Sequence, residues 1–146
     1  MSLSIINTRA QFGVDAPKVT VETHISNGLP SLTMVGLPEM AVRESKERVR
    51  SALINSGFDF PTRRVTINLA PADIPKQGGR YDLAIAIGIL VATGQLQSDR
   101  LEGYEFIGEL ALTGELRPVS GILPSAIACE KQSHTLFIAR ENAAEA

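Results

Sequence analysis

Tyr81-Asp82-Leu83-Ala84-Ile85-Ala86-Ile87-Gly88-Ile89-Leu90-Val91-Ala92-Thr93-Gly94 is apolar nearly all round. Its length predicts a buried helix and not a strand. A helix with no polar face needs cover on every side, so the flanking segments must supply a sheet and further helices. Upstream, Ala70-Pro71-Ala72-Asp73-Ile74-Pro75-Lys76-Gln77-Gly78-Gly79-Arg80 holds two adjacent glycines and two prolines, which predicts a loop. Before that loop, Arg64-Val65-Thr66-Ile67-Asn68-Leu69 alternates apolar and polar at period two, as a strand with one dry face does. Val19 to Ile25 alternates in the same way, and Ser4 to Arg9 and Leu32 to Val35 are short and β-prone.

Between Val35 and Arg64 lies the strongest helical pattern. Pro38 is expected to open it, since proline fits a first turn. Glu39 to Ser56 places Val42, Val49, Ala52, Leu53 and Ser56 on one stripe, and Arg43, Glu47 and Arg50 on another. Gly57 is placed as its cap. Downstream, Glu105 to Leu110 and Leu116 to Val119 predict a strand pair around Thr113-Gly114. Ile122 to Gln132 predicts a helix, Thr135 to Ala139 a last strand, and Glu141 to Ala146 the start of another helix. The order predicts one α/β (α+β) domain with helices mainly on one face of a mixed sheet.

Composition narrows the function. The 146 residues are 44% apolar and 21% charged, the balance of one globular domain and not of a disordered chain. Cys129 has no partner cysteine, which excludes a disulfide scaffold. The longest apolar stretch, Leu83 to Ala92, is too short for a membrane span, and the start lacks the basic segment of a secretory signal, so the expected compartment is the cytoplasm. Aromatics are 5% with no Trp, which disfavours stacking platforms for single-stranded nucleic acid.

Familiar catalytic patterns are missing. There is no phosphate-cradling Gly-x-x-x-x-Gly-Lys-Ser/Thr loop, because Lys76 precedes Gly78-Gly79. There is no dinucleotide turn and no nucleophile elbow. His24 and His134 stand far apart, outside any metal-ligand spacing, and Cys129 reads as a small buried hydrophobe. The Gly78-Gly79 step can be read as an anion cradle at a helix start or as a tight turn into a buried helix; the incomplete motif favours the turn.

Charge is distributed unevenly. Arg43, Lys46, Arg48, Arg50, Arg63, Arg64, Lys76 and Arg80 face only Glu44, Glu47, Asp59 and Asp73 in the same segment, although the whole chain carries −2. On a shared face these side chains would make a modest phosphate-binding field; a solvated helix beside a strand accounts for the same charges.

Val35-Gly36-Leu37-Pro38-Glu39, Arg48 to Gly57, Asn68-Leu69-Ala70-Pro71-Ala72-Asp73-Ile74-Pro75-Lys76, Gly79-Arg80-Tyr81-Asp82-Leu83 and Gly108 to Gly114 together resemble the N-terminal domain of the ComM/YifB family, the magnesium-chelatase-like or competence proteins. The resemblance covers essentially the whole chain. It implies a ribosomal protein S5 domain 2-like fold, shared with the proteolytic domain of Lon. It also implies an N-terminal domain whose AAA+ ATPase module, with its ATP and Mg, lies downstream, so that this domain holds no cofactor. Family members are associated with natural transformation as hexameric, ATP-driven DNA helicases. The implied partners are DNA and other copies in a ring, with no membrane.

Lon uses a serine activated by a lysine. Laid on the Lon pattern, Arg80 stands at the serine position and Ser125 at the lysine position. No serine occurs between Ser56 and Ser98 to take over, and an arginine that stays protonated is no nucleophile. The expectation is a non-catalytic domain whose candidate DNA contacts are Arg43, Lys46, Arg50, Arg63, Arg64, Lys76 and Arg80. Two alternatives stand beside it: a packing domain that never touches DNA, and a cryptic hydrolase with an unrecognised nucleophile.

Overall fold

The alternating segments build the centre of a six-stranded mixed sheet. The computed structural model describes residues 2–97, 99 and 101–146. β1 (Ser2–Arg9) pairs antiparallel with β2 (Lys18–Ser26), and β2 pairs antiparallel with β4 (Arg64–Ala70). β3 (Ser31–Val35) runs parallel to β4 at one edge. β5 (Tyr104–Phe106) and β8 (Thr135–Phe137) extend the other edge in parallel, giving the order β3-β4-β2-β1-β5-β8.

Register aligns the dry positions. Ile6 lies opposite Val21, which lies opposite Leu69; Ile25 lies opposite Val65, and all five are buried. The all-apolar segment forms α3 (Asp82–Ala92), packed on β1 and β2. Gly88, which interrupts its apolar run in sequence, is the contact point. A Cβ there would sit 2.7 Å from Thr23 Oγ1, and the Ser4 hydroxyl donates to the Gly88 carbonyl at 2.7 Å. Helix and sheet therefore approach more closely than any larger residue permits.

The helix expected from Glu39 to Ser56 is two helices, α1 (Met40–Arg43) and α2 (Ser45–Asn55), separated by Glu44. Ser45 is buried at the break and donates to the Asp82 carboxylate, which ties the start of α2 to α3. Pro38 does not open the helix. Its segment pairs with Lys76 instead, through Glu39 N–H to the Lys76 carbonyl (3.0 Å) and Lys76 N–H to the Leu37 carbonyl (3.1 Å). Val42, Val49, Ala52 and Leu53 are buried as the stripe predicts, whereas Ser56 is exposed. Gly57 follows the helix at φ +87°, and Phe58 N–H reaches back to the Leu53 carbonyl at 2.9 Å.

The strand expected from Glu105 to Leu110 also divides. Tyr104–Phe106 joins the large sheet, while β6 (Glu109–Leu110) pairs with β7 (Leu116–Arg117). The bend lies at Gly108, whose N–H donates to the Arg80 carbonyl and whose carbonyl accepts from Leu83 N–H. The start of α3 captures this peptide and turns the chain. α4 (Ile122–Lys131) and β8 complete the fold, and 140–142 form a single 3-10 turn in place of the expected terminal helix. No helix among the described residues is long and apolar enough to cross a membrane.

Candidate functional site

The loop before α3 carries two cations that the chain turns inward. Arg80 is 5% exposed. Its Nε donates to the Arg9 carbonyl at 3.0 Å and its Nη2 to Ser125 Oγ at 2.9 Å. Its Nη1 lies 3.4 Å from both Gln11 Oε1 and the Ser120 carbonyl. All four acceptors are neutral, and burial lowers its pKa, with the adjacent Tyr81 opposing. Burial in turn pushes the Tyr81 phenol up to about 12. The two positions laid on the Lon dyad thus meet in space, and the guanidinium and hydroxyl satisfy each other.

Lys76 is wholly buried. Its ammonium donates to the Gly36 carbonyl (2.6 Å) and the Pro71 carbonyl, and burial depresses its pKa while Asp73 partly restores it. Lys76 and Arg80 are therefore withdrawn from the phosphate-binding set expected from the sequence. Each serves as a clasp: Lys76 ties the Gly36 and Pro71 carbonyls, and Arg80 ties the Arg9 carbonyl to the Ser125 hydroxyl.

A cleft of about 500 Å3 opens beside the Arg80–Ser125 pair, lined by Glu39, Gly78, Gly79, Glu109 and Ser120 among others. The Gly78-Gly79 step is a turn: Gly78 has φ +76°, and Asp82 N–H closes on the Gly79 carbonyl at 3.1 Å. Glu109 packs on it, so that a Cβ at Gly79 would sit 2.5 Å from Glu109 Oε1. A carboxylate in that position repels an anion, so this loop does not fit the phosphates of a nucleotide. Among the described residues no group of three or more His, Cys, Asp or Glu is placed to hold a metal ion.

The other cations stay in solvent. Arg43 is exposed on α1, Lys46 and Arg50 on α2, and Arg63 and Arg64 at the start of β4. Lys46, Glu47 and Arg50 line one hollow with Phe60 and Pro61, which lead directly into Arg63 and Arg64, so the two cations share that hollow with one carboxylate. The Arg50 guanidinium lies 5.5 Å from the Phe60 ring centroid. Arg48 belongs to a different group. Its Nε donates to Asp82 Oδ2 at 2.6 Å, and that bond raises its pKa. Asp82 also accepts from Leu110 N–H at 3.0 Å.

A second buried ion pair escaped the sequence reading. Arg9 Nε and Nη2 donate to the two Glu105 oxygens at 2.6 and 2.9 Å, and His134 Nδ1 lies 2.8 Å from Glu105 Oε2. Nothing local marked it, because Arg9 and Glu105 are 96 positions apart and meet only across the β1–β5 pairing. Cys129 lies nearby with its thiol 3.4 Å from the His134 carbonyl; burial and the Glu105 charge push its pKa up to about 11. A thiol held protonated at neutral pH is a packing group and not a nucleophile.

A mixed α/β domain with a six-stranded sheet, in which Arg80 donates to Ser125 beside a cleft, defines the class. The chain belongs to the magnesium-chelatase-like family: residues 21–142 match the family described as subunit ChlI of Mg-chelatase. It is 59% identical over 145 residues to the protein YifB of Salmonella typhimurium, covering 99% of this chain and 29% of that protein. It is 56% identical over 146 residues to the competence protein ComM of Haemophilus influenzae, covering 100% of this chain and 29% of that protein. The Lon protease of Chloroflexus aurantiacus is 28% identical over 134 residues, 85% of this chain and 16% of that protein. The chain therefore spans less than a third of the length of these relatives, and it matches the N-terminal part of YifB and ComM.

Proposed function

We propose that this domain is a non-catalytic accessory part of an ATP-driven DNA motor of the ComM type, working in the cytoplasm during DNA uptake and recombination. The observation that carries this reading is the Arg80–Ser125 hydrogen bond at 2.9 Å. Where a Lon-like hydrolase needs a free hydroxyl beside a neutral amine, this chain has a hydroxyl accepting from a guanidinium that cannot act as a base. ATP and Mg belong to a downstream module, and copies of the protein assemble around the DNA.

The domain's own contribution is sequence-independent contact with DNA phosphates. Lys46 and Arg50 across the hollow, Arg63 and Arg64 beside it, and Arg43 on α1 supply five exposed cations. Fluorescence anisotropy with labelled DNA tests this. Affinity is expected to fall on the order of a hundred-fold between about 50 and 200 mM salt for roughly four to five phosphate contacts. Arg63→Ala/Arg64→Ala should weaken binding and flatten that slope by about two contacts. Affinity that ignores salt, or that survives the double substitution, rejects the DNA contact. Turnover of peptide substrates by the isolated chain, lost on one point substitution, rejects the non-catalytic reading.

A further inference from the structure

The two ends of the β2–β4 pair carry complementary features. At one end, the segment before β2 and the segment after β4 enclose a groove of about 510 Å3. Phe12, Pro17, Ile74 and Pro75 make its apolar lining, and the exposed carboxylates of Asp15 and Asp73 also line it. Phe12 is 63% exposed, and neighbouring Val14 at the tip of the same turn is 88% exposed. At the opposite end, the segment after β2 and the segment before β4 form a projection. Leu29 stands at its tip, 87% exposed. Arg63 and Arg64 flank it: Arg63 donates to Asn27 Oδ1 at 3.2 Å, and a Cβ on Gly28 would lie 3.6 Å from Arg64 Cβ.

One end is thus an apolar hollow with two acids, and the other an apolar knob with two arginines. In register, Thr20 opposes Ala70 and Ser26 opposes Arg64, so the two features lie at opposite ends of the strand pair, about 20 Å apart. They cannot meet within one molecule. We infer that the domain self-associates head to tail, with Leu29 of one copy seated in the groove of the next and Arg63 and Arg64 facing Asp15 and Asp73. Burying a leucine and an aromatic edge supplies the attraction, and the paired charges set orientation and partner choice. A contact between unlike patches leaves one free patch at each end and therefore repeats from copy to copy.

This contact is independent of DNA. In a DNA-free buffer, sedimentation velocity of the chain should show a concentration-dependent shift to larger species. The shift should weaken about tenfold or more between about 50 and 500 mM NaCl, as the exposed charges are screened. Asp15→Lys/Asp73→Asn should be monomeric alone, and so should Arg63→Asp/Arg64→Asp. All four positions are exposed, and unchanged circular dichroism verifies that each variant is folded. An equimolar mixture of the two variants should re-associate, because the intact groove of one meets the intact knob of the other. Leu29→Asp should abolish association at any salt. A wild-type chain that stays monomeric in low salt overturns the proposal, and so does association that persists in either charge variant or in Leu29→Asp. Because Arg63 and Arg64 also serve the proposed DNA contact, the two readings are told apart at other positions: Asp15→Lys/Asp73→Asn and Leu29→Asp should abolish association with those two arginines intact, whereas Arg43→Ala/Lys46→Ala should weaken DNA binding and leave association unchanged.

Discussion

Gly36 crosses the carbonyl of Leu69 so closely that a Cβ on Gly36 would lie 2.1 Å from that oxygen. The residue also holds φ +106°, a region side chains avoid. This crossing lays the Leu37–Pro38 segment beside Lys76 and delivers the Gly36 carbonyl to the buried ammonium. Gly36→Ala must move β3 off β4 or force the backbone out of its conformation. It should destabilise the domain by about 3 kcal/mol or more, read as a fall in urea midpoint. A variant within about 0.5 kcal/mol of wild type would mean that the crossing is looser than these distances require.

Arg9 and Glu105 hold β1 to β5 with a bidentate ion pair whose side chains are almost fully buried. Glu105→Gln leaves a buried guanidinium without its counter-charge and should cost about 3–5 kcal/mol. Arg9→Met/Glu105→Leu removes both charges and should recover much of that loss. Equilibrium unfolding of wild type, Glu105→Gln, Arg9→Met, Glu105→Leu and the double variant tests the pair, and losses that simply add in the double variant would show that the pair is not the unit of stability.

Cys129 gives the domain an alkaline weakness. Its pKa rises from 9.0 to about 11 on folding. A raised pKa contributes stability that is fully present below pH 9.0 and lost as pH climbs to about 11, because the unfolded thiol gives up its proton first. Tyr81, raised from 10.0 to about 12, acts in the same direction at higher pH. Between pH 9 and 11, Cys129→Ala should therefore lose less stability than wild type, by up to about 2 kcal/mol. Thermal unfolding across that range decides it, and parallel curves would remove the thiol from the account. Native protein at pH 7 should also react with a thiol reagent far more slowly than urea-unfolded protein.

Buried and exposed cations should separate cleanly. Arg80→Ala leaves the Ser125 hydroxyl and the Arg9 carbonyl without a donor and should cost roughly 2–3 kcal/mol. Its DNA affinity, measured on the folded fraction, should stay within about twofold of wild type. Arg43→Ala/Lys46→Ala should do the reverse, changing stability by about 0.5 kcal/mol or less per site while weakening DNA binding several-fold. If Arg80→Ala weakened DNA binding as much as the surface pair does, the clasp role would fall.

Local chemistry determined much of this molecule. Period-two alternation at Val19–Ile25 and Arg64–Leu69 determined the central strands, since one face of each had to be dry. The apolar stretch from Leu83 to Ala92 determined a buried helix, and Gly57 determined where α2 stops. The placement of Arg80 and Ser125 on the Lon dyad positions came from a resemblance and not from local chemistry. Local chemistry could not determine where chain-distant groups meet. Asp82 reaches Ser45 and Arg48 and ties the start of α2, just after the break at Glu44, to α3. Arg80 and Leu83 capturing the Gly108 peptide splits a predicted strand. Whether a cation faces water or a carbonyl was likewise beyond its reach: Lys76 and Arg80 read like Arg63 and Arg64 along the chain, yet folding gives the first two internal acceptors and leaves the other two in solvent. Charge is a property of the residue, but its partner is a property of the packing.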